Sequence, residues 1–259
     1  MKRLSILAMS LTAILTSCSK SDDSSTPSGT ETDFIALKTG NYWIYDVTGT
    51  DMVPTRDSLY VAADTIINGK TYQNLETKNP AFGFYSASAT RNSARINGDE
   101  IVITGKAGLN FTEELPVEID LVDFVVFKES AQLNDVLDSE TGSFEQEFNG
   151  VPLTITYALK TVCDNDVSSM DVNGKVFKDL KTVNTILNLK ITTDLGGFPV
   201  PVLNSQDVVV SKQYYAKGIG VVNTATTVSY NLQDFGMPIG IPQSYTQSST
   251  EKIDIYVAD

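Results

Sequence analysis

Apolar and polar residues alternate along most of the chain after residue 33. In 183–191 the apolar side chains fall mainly on odd positions and the polar ones on even positions. The same period of two appears in 117–121, 153–157 and 253–257. This period, with many Val, Ile, Thr and Tyr residues, is typical of half-buried antiparallel strands. The pattern predicts a mainly β, antiparallel protein, with Ile253, Ile255 and Val257 sharing one face.

Asn-Gly pairs separate several of these segments, at 68–69, 97–98 and 173–174. Both residue types tolerate the positive φ angles that tight hairpin turns require. Helical signals are few, and only 129–137 is expected to form a turn or two. Little helix is therefore predicted.

Two short segments recur in the same order. DFIALK at 33–38 is similar to DFVVFK at 123–128, and the Asn-Gly-Lys segment at 68–75 is similar to 173–180. The recurrence predicts a duplicated β unit, and chance similarity of two hairpins is the alternative. Related units would continue one curved sheet or half-barrel, or pack as a sandwich. The predicted repeats are 33–122 and 123–259.

The N-terminus has a different pattern. Lys2 and Arg3 precede a mostly apolar run, 4–15, which is shorter than the roughly 20 residues of a membrane span. The run ends in Leu-Thr-Ser-Cys, which resembles the lipobox of bacterial lipoproteins. The resemblance implies that 1–17 is a signal peptide, and that acyl chains on Cys18 anchor the mature chain to a membrane.

Residues 18–32 are rich in Ser, Thr, Pro and Gly, so we expect a flexible acidic tether before a β-rich body at 33–259. Asp22 and Asp23 resemble the acidic export signal of Bacteroidetes surface lipoproteins. The resemblance implies a lipid-anchored outer-membrane protein displayed on the cell surface. Attachment facing the periplasm is the alternative.

Composition narrows the function classes. Loss of Lys2 and Arg3 with the signal peptide takes the formal charge from −13 to −15, and such a body repels nucleic-acid backbones, so no nucleic-acid partner is predicted. The chain has no histidine, which excludes Ser-His-Asp and Cys-His nucleophile systems. Cys163, the only cysteine after Cys18, is expected to be a buried, inert thiol.

The acidic clusters give only weak indications of a metal site or a catalytic site. Asp164-Asn165-Asp166 lacks the loop and supporting acid of a calcium site, so no metal and no cofactor are predicted. Glu113 and Glu114 with Asp120 or Asp123 would form a glycosidase-like pair only at a suitable separation, which sequence does not give. No enzymatic activity is expected.

Two motifs carry a wider resemblance. LKTGNYWIY at 37–45 and YYAKGIGVV at 214–222 resemble the opening and closing strands of uncharacterised Bacteroidetes outer-membrane lipoproteins. Some of those proteins look like half-barrel carriers of lipids or lipoproteins, with an apolar hollow. The resemblance implies a fold more than an activity.

Aromatic residues follow the first motif's alternation. Tyr42 and Ile44 fall on one face of a strand, and Trp43 and Tyr45 on the other. The inward aromatics are expected in the core. The alternative is that Tyr42, Trp43 and Tyr45 contact a sugar or lipid ligand.

Two Asp-Ser/Thr-aliphatic tripeptides resemble Bacteroidetes O-glycosylation acceptors, which makes Ser58 and Thr65 candidate modification sites. Gly218-Ile219-Gly220 lacks the features of a dinucleotide-binding loop and predicts a bulge or tight bend. The apolar segments 196–201 and 236–242 are predicted loops. They would cap a hydrophobic cavity, contact a partner, or pack on the sheet edge.

The leading hypothesis is a lipid-anchored cell-envelope protein with a non-enzymatic binding or structural role. Its partners would be the membrane, through the acyl chains on Cys18, and an envelope protein. The alternative is a carrier or sensor of an apolar ligand in a β half-barrel. A carboxylate-based glycoside hydrolase is less favoured. A continuous apolar cavity would favour the carrier, and a filled sandwich the interaction protein.

Overall fold

The computed structural model describes residues 31–112, 115–234 and 241–259. Strands make up 74% of the structure and helix 3%, so the prediction of a mainly β, antiparallel fold is confirmed. The signal peptide, Cys18 and the tether as far as residue 30 lie outside the described residues.

The described residues form twelve strands and one helix. The elements of the first half are β1 (Tyr42–Gly49), β2 (Thr55–Ile67), β3 (Lys70–Thr77), α1 (Phe84–Thr90), β4 (Asn92–Asn97), β5 (Glu100–Thr112) and β6 (Leu115–Lys128). Those of the second half are β7 (Val136–Phe148), β8 (Val151–Val172), β9 (Lys175–Leu195), β10 (Phe198–Ala216), β11 (Gly220–Asn231) and β12 (Ser244–Val257).

The twelve strands form one antiparallel sheet, shaped as a nearly closed barrel. Strands adjacent in sequence pair with each other, except β6 and β7, and β1 pairs with β12. At the β6–β7 seam, Val125 N donates to Asp138 Oδ2 (2.9 Å) and Thr161 Oγ1 donates to Val125 O (2.6 Å). The curved-sheet prediction is confirmed, and the sheet is more closed than a half-barrel because its edge strands, β6 and β7, come together at this seam.

Connections alternate between the two ends of the barrel because every strand is antiparallel to its neighbours. The end where β1 starts and β12 finishes is called the terminal end; there Asn41 Nδ2 donates to Asp259 O (3.3 Å). The hairpins at 68–69 and 173–174 also lie at the terminal end. The opposite end is called the helix end, because the β3–β4 connection there contains α1.

Two of the three Asn-Gly hairpins form as expected, and at the third the turn is Gly98-Asp99 because Asn97 pairs with Glu100. Asn68 and Gly69 have φ angles of 51° and 76°, and Asn173 and Gly174 have 52° and 78°, the positive values of a primed turn. The two hairpins join the second and third strands of each half. The duplication itself stays a prediction, and its proposed boundary at 122/123 falls inside β6.

Inward side chains of alternating strand positions fill the barrel as two clusters. The first core cluster lies toward the terminal end and includes Trp43, Leu59, Phe127, Leu180 and Val222. The second core cluster lies toward the helix end, on β6 to β11, and includes Leu115, Ile119, Ile155, Leu189 and Leu203. On the opposite wall of the helix end, α1 occupies the interior, with Tyr85 and Ala89 against the first core cluster and Phe84 against the second.

Three expectations of local structure were wrong. A bulge opposite Ile44 and Tyr45 shifts the register of β12, so Ile253 is fully buried while Ile255 is 44% exposed. Residues 129–137 form turns and the start of β7, and the helix lies at α1 instead. The predicted loop at 196–201 is a two-glycine turn followed directly by β10, because Phe198 pairs with Leu195.

Candidate functional site

A cavity of about 110 Å³ lies between α1 and the two core clusters. Its wall is mainly carbon, contributed by side chains such as Ile101, Leu121, Phe124 and Leu187. An engineered apolar cavity of about 150 Å³ binds benzene or xenon, so this space suits one slender apolar group. The interior site is called the cavity.

A larger space of about 450 Å³ lies on the outer side of α1 at the helix end, and is called the groove. Apolar and uncharged polar groups contribute similar shares of its wall. The residues that define the groove are Met52, Phe82, Gly83, Phe84, Ala87, Leu109, Val228, Tyr230, Pro242, Tyr245, Gln247 and Ser249. Its volume falls within the 300–1,000 Å³ that is usual for small-molecule sites.

Helix α1 follows the extended Gly83, and no side-chain cap bond comes from that position. The first amides of a helix lack intrahelical acceptors, so they need partners from elsewhere. Asp57 of β2 supplies one carboxylate just before the helix, accepting from Phe82 N (3.0 Å) and Gly83 N (2.7 Å). This carboxylate is 3% exposed, so the contact is shielded from water.

Glu251 of β12 supplies the second carboxylate and is fully buried. It accepts hydrogen bonds from Tyr85 N (2.6 Å), Ser86 N (3.0 Å) and Ser86 Oγ (2.6 Å). Burial raises the pKa of Glu251, the Ser86 and Tyr85 hydrogen bonds oppose that rise, and the charge of Asp57 adds to it. Two sheet carboxylates therefore fix the start of α1.

Gly83 allows the close approach of Glu251. A Cβ atom at this position would lie 2.1 Å from the Glu251 carboxyl carbon. The φ angle of Gly83 is an ordinary −74°, so the need for glycine here is one of space.

Sequence reasoning missed both carboxylates and α1. The sequence signal for Asp57 was its position in the alternation: it occupies the same strand face as Leu59 and Val61, which are buried. Glu251 shares a face with the buried Ile253 in the same way. A charged residue in an inward series indicates a specific buried partner.

The aromatic residues of the opening motif lie elsewhere. Trp43 and Tyr45 are 2% and 1% exposed in the first core cluster, and Tyr42 faces outward. Trp43 Nε1 donates to Ile219 O (2.7 Å) and Tyr45 OH to Val221 O (2.8 Å), on the far side of β12. Neither ring lines the cavity or the groove, so their observed contacts are those of core packing.

Other sequence candidates also have structural positions. Ser58 and Thr65 are half-buried side chains of β2, and their glycosylation stays a prediction. Cys163 is a free, buried cysteine as expected, and burial raises the pKa of its thiol. The Gly218–Gly220 segment forms the bend between β10 and β11, with φ angles of 72° and 113° at its glycines. Of the apolar segment 236–242, residues 236–240 lie outside the described residues and Pro242 lines the groove.

The candidate catalytic carboxyls do not meet in a described cleft. Glu113 and Glu114 lie outside the described residues, and Asp120 is exposed. Burial alone would raise the pKa of Asp123, but hydrogen bonds from Lys70, Tyr72 and Arg95 outweigh it and lower the pKa to about 2. Asp123 is therefore an anion in an ion-pair network.

The Asp164–Asp166 segment lies in β8 at a bulge. The Lys212 ammonium contacts the Asp164 carboxylate at 2.9 Å and, with bonds from Asn165 and Asn184, lowers its pKa to about 2. Within 31–112, 115–234 and 241–259, no group of three or more potential metal ligands comes together.

No helix among the described residues is long and apolar enough to cross a membrane. No protein-family model, curated protein or solved structure matches the chain. The class that can be stated is therefore architectural: a twelve-stranded antiparallel, nearly closed barrel with an internal helix and an apolar cavity.

Proposed function

We propose that this protein is a lipid-anchored envelope protein that binds an apolar ligand inside its barrel. The cavity is the observation that carries the proposal. Its wall is mainly carbon, and burial of an apolar group against such a wall is favourable by about 25 cal/mol per Å² of apolar surface.

The carboxylates favour binding over hydrolysis. Asp57 and Glu251 are the buried acids nearest the cavity, and both hold amides of the α1 region. Asp123 is committed to Lys70 and Arg95. The apolar-ligand reading is therefore better supported than a glycosidase.

The place where the N-terminal segment joins the barrel supports the proposal of a membrane-anchored binding protein. Thr32 N donates to Gly98 O (2.9 Å), and Gly218 N donates to Asp33 O (2.7 Å), both at the terminal end. The chain therefore joins the barrel at the terminal end, and the groove lies at the opposite end. An anchor on the N-terminal side is compatible with an accessible groove.

Mass spectrometry of apolar compounds extracted from the purified protein tests the binding proposal. Ala107→Leu, which adds carbon to the cavity wall, is expected to lower the recovered amount at least fivefold. Ala63→Leu is the matched control, since Ala63 is an exposed residue of β2. An unliganded wild type whose Tm is also unchanged by benzene and other small apolar probes would overturn the proposal.

Cell fractionation tests the anchor separately. Cys18→Ala is expected to move the protein from the membrane pellet to the soluble fraction, because the acyl chains would have no attachment point. Ser19→Ala is the control. Unchanged membrane attachment of the Cys18→Ala protein would contradict the anchor.

A further inference from the structure

The groove and the cavity are neighbouring parts of one apolar space. Phe84 lines both of them. Gly108 lines the cavity and the next residue, Leu109, lines the groove. Val209 of the cavity pairs in the sheet with Val228 of the groove. The first turn of α1, with the Phe84 ring, is therefore what divides them.

No charged side chain lines either space among the described residues. Asp57 and Glu251 lie nearby, but both direct their oxygens to amides at the start of α1. The chain carries a formal charge of −13, which disfavours a second anion. Burying an ionised group without a partner is costly, so this space suits an uncharged ligand.

The cavity and the groove differ in the polarity of their walls. In the cavity, Thr185 Oγ1 donates to Gln213 Oε1 (3.4 Å) and Gln213 Nε2 donates to Ser211 Oγ (3.0 Å). One buried oxygen of the cavity wall, Asn92 Oδ1, has no hydrogen-bond partner within the part of the chain that the structure describes, and the rest of the wall is mainly carbon. In the groove, Tyr245 OH donates to Gln247 Oε1 (2.7 Å), and the uncharged polar side chains of Tyr245, Gln247 and Ser249 belong to the wall. The groove thus offers neutral hydrogen-bonding groups.

We propose that the groove and cavity together bind a neutral single-chain amphiphile. Its hydrocarbon chain passes Phe84 into the cavity, and its uncharged hydroxylated head lies in the groove beside Tyr245, Gln247 and Ser249. The small cavity admits one slender chain, which excludes a second acyl chain. This assignment rests on the proposed apolar-ligand function and adds the ligand's charge, chain number and orientation.

A binding panel on the full chain carrying Cys18→Ala tests the ligand class, since that variant has no acylation site of its own. The probes are monohexanoylglycerol, hexanoate and dihexanoylglycerol, measured by native mass spectrometry titration, because their chains are short enough for a cavity of about 110 Å³. Monohexanoylglycerol is expected to bind at least tenfold more tightly than either of the others. Equal or tighter binding of hexanoate would overturn the neutral-ligand assignment, and equal binding of dihexanoylglycerol would overturn the single-chain assignment.

Two leucine substitutions on α1 test the orientation. Ala89 lines the cavity and Ala87 lines the groove. Ala89→Leu is expected to weaken monohexanoylglycerol at least tenfold while leaving monoacetylglycerol, whose chain is too short to reach the cavity, within twofold. Ala87→Leu is expected to weaken both. Circular dichroism and Tm confirm that each variant folds. The same loss for both probes in Ala89→Leu would overturn the proposed orientation.

The panel separates this inference from the proposed function. Binding of benzene without any amphiphile would restrict the site to the cavity, which overturns the inference and leaves the proposed function standing. Absence of binding by every apolar probe would overturn both.

Discussion

At the terminal end, tilted aromatic rings pack together inside the barrel, whereas at the helix end a short helix is held by two carboxylates. Phe34 from the segment before β1 packs on Phe127 with ring centroids 5.0 Å apart, and Phe127 packs on Tyr215 at 4.6 Å. At the helix end, Asp57 and Glu251 hold the residues around the start of α1. The first closure is apolar packing, and the second is a set of charge-assisted hydrogen bonds.

The difference predicts which end of the barrel opens more easily. Apolar packing is lost only when rings separate and leave a cavity, so it favours one fixed arrangement. A seven-residue helix is too short to be stable alone and depends on its tertiary contacts. Loss of the carboxylate contacts would therefore release α1 while the rest of the barrel stays intact.

Phe127→Ala should have the largest effect on stability. Phe127 is fully buried between two rings, and removal of such a side chain costs about 3–5 kcal/mol. Denaturant unfolding measures the change. Val122→Ala is the control, because Val122 is 67% exposed and lies on the same strand. A loss below about 1 kcal/mol would contradict a terminal end closed by ring packing.

Glu251→Ala should cost less in stability and more in local order. It removes the acceptor for Tyr85 N and Ser86 N, and a buried donor without a partner costs about 1–3 kcal/mol. Hydrogen exchange should speed up at residues 84–90 and stay unchanged at 173–183. Uniform acceleration over the whole barrel would show that α1 does not open separately.

Gly83→Ala should act on the same contact from the helix side. The added methyl group would overlap the Glu251 carboxyl, and overpacking of this kind costs about 1–3 kcal/mol. Gly83→Ala combined with Glu251→Ala should be less destabilising than the sum of the two single changes, because both act on one contact. Additive losses in a double-mutant cycle would place the two effects at independent sites.

The two ends should respond oppositely to pH. The pKa of Glu251 is raised above 4.5 in the folded state, so its contribution to stability is greatest below pH 4.5 and is lost as pH rises through the folded pKa. Glu251→Gln should remove that part of the pH profile above pH 4.5. An unchanged profile in urea unfolding would mean that the carboxyl is not desolvated.

Asp123, whose contacts lie toward the terminal end, shifts the other way and should have the smallest effect. Its pKa falls from 3.8 to about 2, so its contribution to stability is present above pH 3.8 and is lost as pH falls toward 2. Asp123→Asn should flatten acid unfolding in that range. Asp120→Asn, a change at an exposed carboxyl of the same strand, should leave the profile close to that of the wild type.

Local features of this structure were predictable from sequence, and long-range ones were not. Alternation in segments such as 183–191 predicted antiparallel strands, and Asn68 and Asn173 predicted tight turns, because both signals reside in neighbouring residues. Pairing of β1 with β12 joins residues about two hundred positions apart and leaves no local signal. The bulge that exposes Ile255 depends on its partner strand, so periodicity alone could not place it.

The candidate site was less predictable than the fold. Alternation placed Trp43 and Tyr45 inside the barrel, but the cavity forms beside α1 instead. Helix α1 depends on Asp57 and Glu251, which lie on strands from opposite ends of the chain. A sequence with few helix signals at 84–90 therefore forms a helix because distant carboxylates satisfy its amides.

Pairing between the first and last strands also sets an order of events during folding. β1 emerges early from synthesis, but its β12 partner is complete only at residue 257. Such contacts between distant parts of a chain form slowly, because a long loop must close first. The barrel therefore cannot close until β12 has been made, so the nascent chain stays open up to that point. An unclosed chain is the form that can be threaded through a narrow channel before it folds.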